Sequence, residues 1–122
     1  MKHLLLTTIA AVLLVGCGES PSVDIWRPVR VGNTEAVKQA IAAGGDVNAK
    51  SGPFDESPLH RAAENGHKEI AELLIEKGAV VNALGVNGTP LDWAIFRNHT
   101  ETAALLRKHG GKTGEELKAE GK

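Results

Sequence analysis

The chain has 122 residues, with 14 Lys and Arg against 15 Asp and Glu, and this length favours one domain. The balanced charge argues against phosphate-driven nucleic-acid binding, which needs a basic excess, so we expect no nucleic-acid partner. Two Trp, two Phe and no Tyr are too few large side chains for a thick core, and thin layers of small residues are predicted instead.

The first sixteen residues are predicted to be an export signal. A short positive start over residues 1–3 precedes an apolar run from Leu4 to Leu14, which is interrupted only by two threonines. A membrane-spanning helix needs roughly 20 apolar residues, and this run is shorter. We therefore expect residues 1–16 to act as a signal peptide.

Cys17 is the only cysteine, and it follows Leu14-Val15-Gly16 at the end of the apolar run. This arrangement resembles the lipobox of bacterial lipoproteins, whose cysteine is lipidated and whose signal is cut just before it. The resemblance implies that Cys17 carries lipid, that residues 17–24 form a tether, and that the exported protein is anchored to a bacterial membrane, facing the periplasm. In a Gram-negative organism Gly18 would favour the outer membrane. An ordinary cleavable signal and a buried hydrophobic helix are the alternatives.

An internal repeat organises the remaining chain, because three segments align at a mean period of about 33 residues. The two clearest motifs are Ser57-Pro58-Leu59-His60-Arg61-Ala62-Ala63 and Thr89-Pro90-Leu91-Asp92-Trp93-Ala94. Period and motifs together resemble the ankyrin repeat. The resemblance implies an all-α solenoid of stacked helix-turn-helix units, with about three repeats in residues 25–113 and irregular caps. The repeats are expected over residues 25–49, 57–83 and 89–111.

Local chemistry supports these helices independently of the resemblance. Ser57 and Thr89 are expected to be N-caps, because each precedes a proline at the first helical position, where the missing N–H costs nothing. The aligned residues Gly32, Gly66 and Asn98 tolerate the left-handed conformation that ends the first helix of each repeat. Proline also lies at position 28, inside the first helix of the chain, and is expected to break or shorten it.

Two segments outside the helix pairs carry their own signals. Residues 50–57 are two residues longer than the matching stretch before Thr89, which predicts an extended finger carrying Phe54. Thr113 and Glu116 have the spacing of a capping box. Residues 114–122 are therefore expected to form a short polar cap that shields the last repeat.

The sequence predicts no catalytic, cofactor or metal site and no small-molecule substrate. The repeat resemblance implies that His60 forms a structural hydrogen bond between adjacent loops. His67 and His99 share one repeat position and are expected to point the same way without converging on a metal. Asp92 and His99 are a conceivable acid–base pair, but each fits its repeat position and no nucleophile accompanies them. We therefore expect that the protein is not an enzyme.

The alignment places one set of side chains on the outward face of the first helices. These residues are Arg27, Arg30, Arg61, Glu64, Trp93, Phe96 and Arg97. By resemblance to the family they line a concave partner-binding surface, and Trp and Arg are the residue types that dominate interface energetics. The alternative is that Trp93 and Phe96 pack under the C-terminal cap and that the arginines only solubilise the face. Trp26 is expected to pack inward.

The resulting hypothesis is a bacterial lipoprotein that serves as a membrane-tethered protein-interaction module. Its partner would be a protein of the same compartment, with acidic groups opposite the arginines. Two alternatives stay open: a regulator or inhibitor of an exported enzyme, and a structural component of the cell envelope without a specific partner.

Overall fold

A computed structural model describes residues 23–121, so the predictions for the signal peptide and for Cys17 lie outside the described residues. Seven helices form within this range. They are α1 (Trp26–Val31), α2 (Thr34–Ala42), α3 (Pro58–Asn65), α4 (Lys68–Glu76), α5 (Pro90–Phe96), α6 (Thr100–Lys108) and α7 (Gly114–Ala119). Among residues 23–121, no helix is long and apolar enough to cross a membrane.

The helices form three antiparallel pairs that stack into a solenoid, which confirms the predicted fold class. The inner helices α1, α3 and α5 pack side by side, and the outer helices α2, α4 and α6 form a second layer behind them. Small residues make the inner layer thin, because Ala62, Ala63 and Ala94 are completely buried. Leu59 and Leu91 fill the space between neighbouring repeats and are also buried.

Capping side chains fix where the helices begin. The Asp92 backbone N–H donates to Thr89 Oγ1 at 3.3 Å, and the Thr89 N–H donates back to Asp92 Oδ2 at 2.8 Å. Thr113 and Glu116 form the equivalent box at the start of α7, with distances of 3.1 and 2.9 Å. The predicted starts of α5 and α7 therefore rest on reciprocal hydrogen bonds.

Close approach between repeats explains why the first helices end at glycine. Gly32 and Gly66 adopt φ values of 85° and 71°, and a Cβ at Gly66 would lie 2.5 Å from the His99 ring. Asn98 holds the same turn at φ 63° in the third repeat. Within residues 23–121 no following repeat places a histidine against Asn98 as His67 and His99 are placed against Gly32 and Gly66, so a side chain is tolerated there.

The first helix is shortened, as the proline at position 28 suggests. Helix α1 has six residues, whereas α3 has eight, and Pro28 stands in its first turn, where its N–H would have no helical partner. Asp24 caps this short helix, because its Oδ1 accepts from the backbone N–H groups of Trp26 at 2.9 Å and Arg27 at 3.3 Å. The N-terminal repeat is therefore irregular but not broken.

Fingers between the helix pairs join successive repeats. Ser51 and Glu56 pair across the predicted first finger. The second finger is the matching stretch 84–89, and its Val86 N–H donates to the Phe54 carbonyl at 2.8 Å. Asn82, at the end of the second repeat, links that repeat to the segment before α7, since its Oδ1 accepts from the Lys112 N–H at 2.7 Å. These contacts join each segment between helix pairs to the next one along the chain.

Candidate protein interface

The predicted outward residues lie on neighbouring inner helices or directly after them. We call this set the concave strip: Arg27, Arg30, Arg61, Glu64, Trp93, Phe96 and Arg97. Helix α1 supplies the first two, α3 the next two and α5 Trp93 and Phe96, while Arg97 is the C-cap of α5. The strip divides into a paired centre and two different ends.

The centre of the strip is an ion-pair network. One guanidinium nitrogen of Arg61 contacts Glu56 Oε2 at 3.0 Å, and another contacts Glu64. The second carboxylate oxygen of Glu64 accepts from Arg97 at 2.9 Å. Glu56 is only 4% exposed, so its charge depends on Arg61. Two of the predicted partner-facing arginines are thus already engaged by glutamates of this chain.

At the N-terminal end of the strip, Arg27 and Arg30 are exposed and form no ion pair within residues 23–121. Arg30 borders a small pocket of about 310 Å³, whose lining also includes Trp26, Ser51 and Arg61. We call this the arginine pocket. Trp26 packs partly against the core, as expected, and contributes to the pocket as well.

At the C-terminal end, Phe96 is 73% exposed and packs edge-to-face against Trp93, with ring centroids 5.9 Å apart. Trp93 is half-buried against the core, and its indole nitrogen is buried without a hydrogen-bond partner among the described residues. Trp93 is thus partly covered by the core, whereas Phe96 faces solvent.

An open groove of about 810 Å³ adjoins these rings. We call it the C-terminal groove, and its apolar lining consists of Leu84, Val86, Trp93, Phe96 and Leu117. Leu84 and Val86 project from the second finger and are 54% and 68% exposed, while Leu117 is the contribution of α7. Three elements therefore converge on one apolar concavity.

Helix α7 is held in place as the outer wall of this groove. Asp92 Oδ2 accepts from the Gly114 N–H at 2.9 Å, and Thr89 Oγ1 donates to the Lys112 carbonyl at 2.7 Å. Arg107 binds both carboxylate oxygens of Glu116, at 2.7 and 3.1 Å. This hydrogen bonding lowers the pKa of Glu116 to about 2. Because Ile95 stays 49% exposed, the cap covers the last repeat only in part.

The histidines connect repeats. Nδ1 of His60 accepts from the Ser57 N–H at 2.9 Å, so its Nε2 donates to the Gly88 carbonyl at 3.0 Å. Nε2 of His67 lies 3.1 Å from the Arg30 carbonyl, and that of His99 lies 3.0 Å from the Glu64 carbonyl. Asp92 and His99 are each bonded elsewhere and form no acid–base pair. Within the described range, no three potential ligands are grouped so as to hold a metal ion.

Sequence reasoning did not single out Glu56, Leu84, Val86 or Leu117 as parts of this surface. Glu56 ends the first finger, and a buried acid at that position becomes evident only when Arg61 is seen beside it. The two apolar finger residues carried a detectable signal, because large aliphatic side chains are unexpected at the tip of a loop.

Comparison with known proteins agrees with the architecture. The family model described as Ankyrin repeats (3 copies) matches residues 26–116. The chain is similar to the palmitoyltransferase ZDHHC13 of Mus musculus, at 38% identity over 94 residues, which are 75% of this chain and 15% of that protein. It is also similar to the ARF GTPase-activating protein Git of Drosophila melanogaster, at 38% identity over 93 residues, which are 75% of this chain and 13% of that protein. The chain thus spans about one seventh of the length of these relatives.

Proposed function

Because the chain belongs to the ankyrin-repeat family, we propose that it is a protein-interaction module held at a bacterial membrane by lipid on Cys17. The observation that carries the interaction role is the exposed apolar surface at the C-terminal end of the concave strip. Phe96 and Val86 are 73% and 68% exposed on elements fixed by repeat-to-repeat hydrogen bonds. Exposed apolar patches with a polar rim are typical of interaction sites.

The fold suits display of a surface better than chemistry. Helix α5 is seven residues long and is capped at its start, so Trp93 and Phe96 are held without large conformational freedom. Rigid presentation lowers the entropy cost of binding. We propose no reaction, cofactor or small-molecule substrate for this chain, and the polar groups of the strip serve to orient and select a protein partner.

The membrane part of the proposal rests on the sequence that precedes the described residues. Leu14-Val15-Gly16-Cys17 resembles a lipobox, and residues 18–23 extend at most about 20 Å. A tether of that length would keep the concave strip close to the bilayer surface. The partner would then be another protein of the envelope, in the periplasm and at the outer membrane if the organism is Gram-negative.

The lipid anchor is tested by metabolic labelling of the full-length chain with an alkyne fatty acid. We expect label in the wild type and none in Cys17→Ser. Ser20→Ala, three residues further along, is the matched control and should behave like the wild type. Equal labelling of Cys17→Ser and the wild type would refute the proposed anchor.

The interaction role is tested in intact cells with a photoreactive amino acid. At position 96 it would lie in the C-terminal groove, and at position 38 it would lie on the exposed side of outer helix α2. We expect a defined crosslinked protein from position 96 and none of it from position 38. Equal products from both positions would contradict recognition through the concave strip.

A further inference from the structure

We propose that the concave strip binds an extended protein segment with an acidic residue at one end and a large apolar side chain about six positions away. This inference rests on the proposed function and specifies the chemistry of the partner. Its basis is the unequal character of the strip, which is cationic beside α1, electrically balanced at α3 and apolar beside α5.

The apolar end of the segment would occupy the C-terminal groove. Leu84, Val86 and Phe96 expose about half or more of their surface there, at 54%, 68% and 73%. The charged residues of the lining are Glu115 and Lys118, which have opposite signs, and Asp92, whose Oδ2 accepts from two backbone N–H groups of this chain. Because Asp92 is engaged within the chain and the other two charges balance, the groove selects for apolar size and not for net charge. A Phe, Trp or Leu side chain of the partner suits this chemistry.

The acidic end would lie at the arginine pocket. Arg30 lines it, and Arg27 lies one helical turn away on the same short helix. Neither is ion-paired within residues 23–121, whereas Arg61 is shared between Glu56 and Glu64. Among the described residues, the guanidinium groups of the strip that have no ion pair therefore lie only at its end beside α1. A carboxylate can accept two parallel N–H bonds from a guanidinium, which makes Asp or Glu the matching partner residue.

The centre of the strip sets the spacing without adding a charge preference. Arg97, Glu64, Arg61 and Glu56 form a continuous balanced network between the two ends. From α1 to α5 there are two steps between packed helices, each about 8–10 Å, which gives roughly 16–20 Å. An extended chain covers that distance in about five or six residues. The two anchors must therefore be separated by about this number of positions.

A random 12-mer peptide display library tests this inference directly. The full-length chain, purified in detergent, is the bait, and selected peptides are sequenced. We expect enrichment of Asp or Glu five to six positions from Phe, Trp or Leu. Arg27→Glu with Arg30→Glu should abolish the acidic preference and retain the apolar one, and Phe96→Ala should do the reverse. Lys38→Glu on α2 and Val80→Ala, both at exposed positions, are matched controls that should keep the wild-type pattern.

Two results would overturn the inference. One is selection of peptides in which acidic and apolar residues show no fixed spacing. The other is an acidic preference that survives the double arginine reversal in a variant whose circular dichroism is unchanged. In either case, continued crosslinking from position 96 in cells would leave the proposed function standing with a different partner chemistry. Loss of that crosslink as well would refute both this inference and the proposed function.

Discussion

On the same inner helices, the inward residues keep the same chemical character from repeat to repeat, whereas the outward residues do not. Inward residues such as Leu91 and Ala62 are buried and identical in role from repeat to repeat, because each must fit the next repeat. Outward residues at equivalent positions differ in kind, from Arg30 through Glu64 to Phe96. A solenoid thus keeps one side constant for stability and leaves the other free to vary. Changes on the two sides should separate stability from binding.

The largest effect on stability is expected from truncation of an inward side chain. Leu91 is 1% exposed between the second and third repeats, and Leu91→Ala should lower the free energy of unfolding by about 2–5 kcal/mol. Val80, which is 54% exposed, is the control, and Val80→Ala should change it by less than about 0.5 kcal/mol. Urea denaturation measures both, and equal effects would contradict the assigned packing.

Reversal of the charge at Arg61 should show that the centre of the strip also contributes to the stability of the fold. Arg61→Glu leaves the buried Glu56 beside two further acids, and we expect it to lower the free energy of unfolding by about 1–3 kcal/mol. The effect is smaller than for a fully buried pair because the Arg61 side chain is 33% exposed. Arg30→Glu should cost less than about 0.5 kcal/mol, since Arg30 forms no ion pair within the described residues. A comparison of their urea midpoints is the measurement, and similar midpoints would count against the network.

His60 should make the free energy of unfolding depend on pH. Burial lowers the pKa of His60 below its ordinary value of 6.5, so the unfolded chain binds more protons. The stability that His60 contributes in its neutral form is therefore complete above pH 6.5 and is lost progressively as the pH falls below that value. His60→Gln removes the titration but keeps a donor and an acceptor. Its unfolding free energy should vary less between pH 7 and pH 5 than that of the wild type, and equal slopes would refute the assignment.

The smallest effect is expected at the cap that forms the wall of the C-terminal groove. Because Arg107 lowers the pKa of Glu116 to about 2, the pair supports α7 fully above about pH 4.5 and loses this support as the pH falls towards 2. In a Trp26→Phe background, Trp93 fluorescence should change over that range. Added to this background, Glu116→Gln should change the Trp93 fluorescence at neutral pH. Equal fluorescence with and without Glu116→Gln would contradict the role of α7 as a wall of the groove.

Much of the fold could be predicted from sequence because its signals are local. Ser or Thr followed by Pro, with a glycine or asparagine two turns later, identifies α3 and α5 from neighbouring positions alone, and the spacing of apolar residues identifies the outer helices. The surface was harder to predict, because pairing of Glu56 with Arg61 depends on a finger folding back over α3. Likewise, the C-terminal groove exists only because Val86 and Leu117, 31 positions apart, meet beside Phe96.

The most direct test of the account is the affinity of the crosslinked partner for two matched variants of the full-length chain. Phe96→Ala and Val80→Ala each shorten an exposed apolar side chain, and only the first lies in the C-terminal groove. We predict that Phe96→Ala raises Kd at least about tenfold while Val80→Ala changes it less than about twofold, with unfolding free energies unchanged. An equal Kd for the two variants would contradict binding through the concave strip.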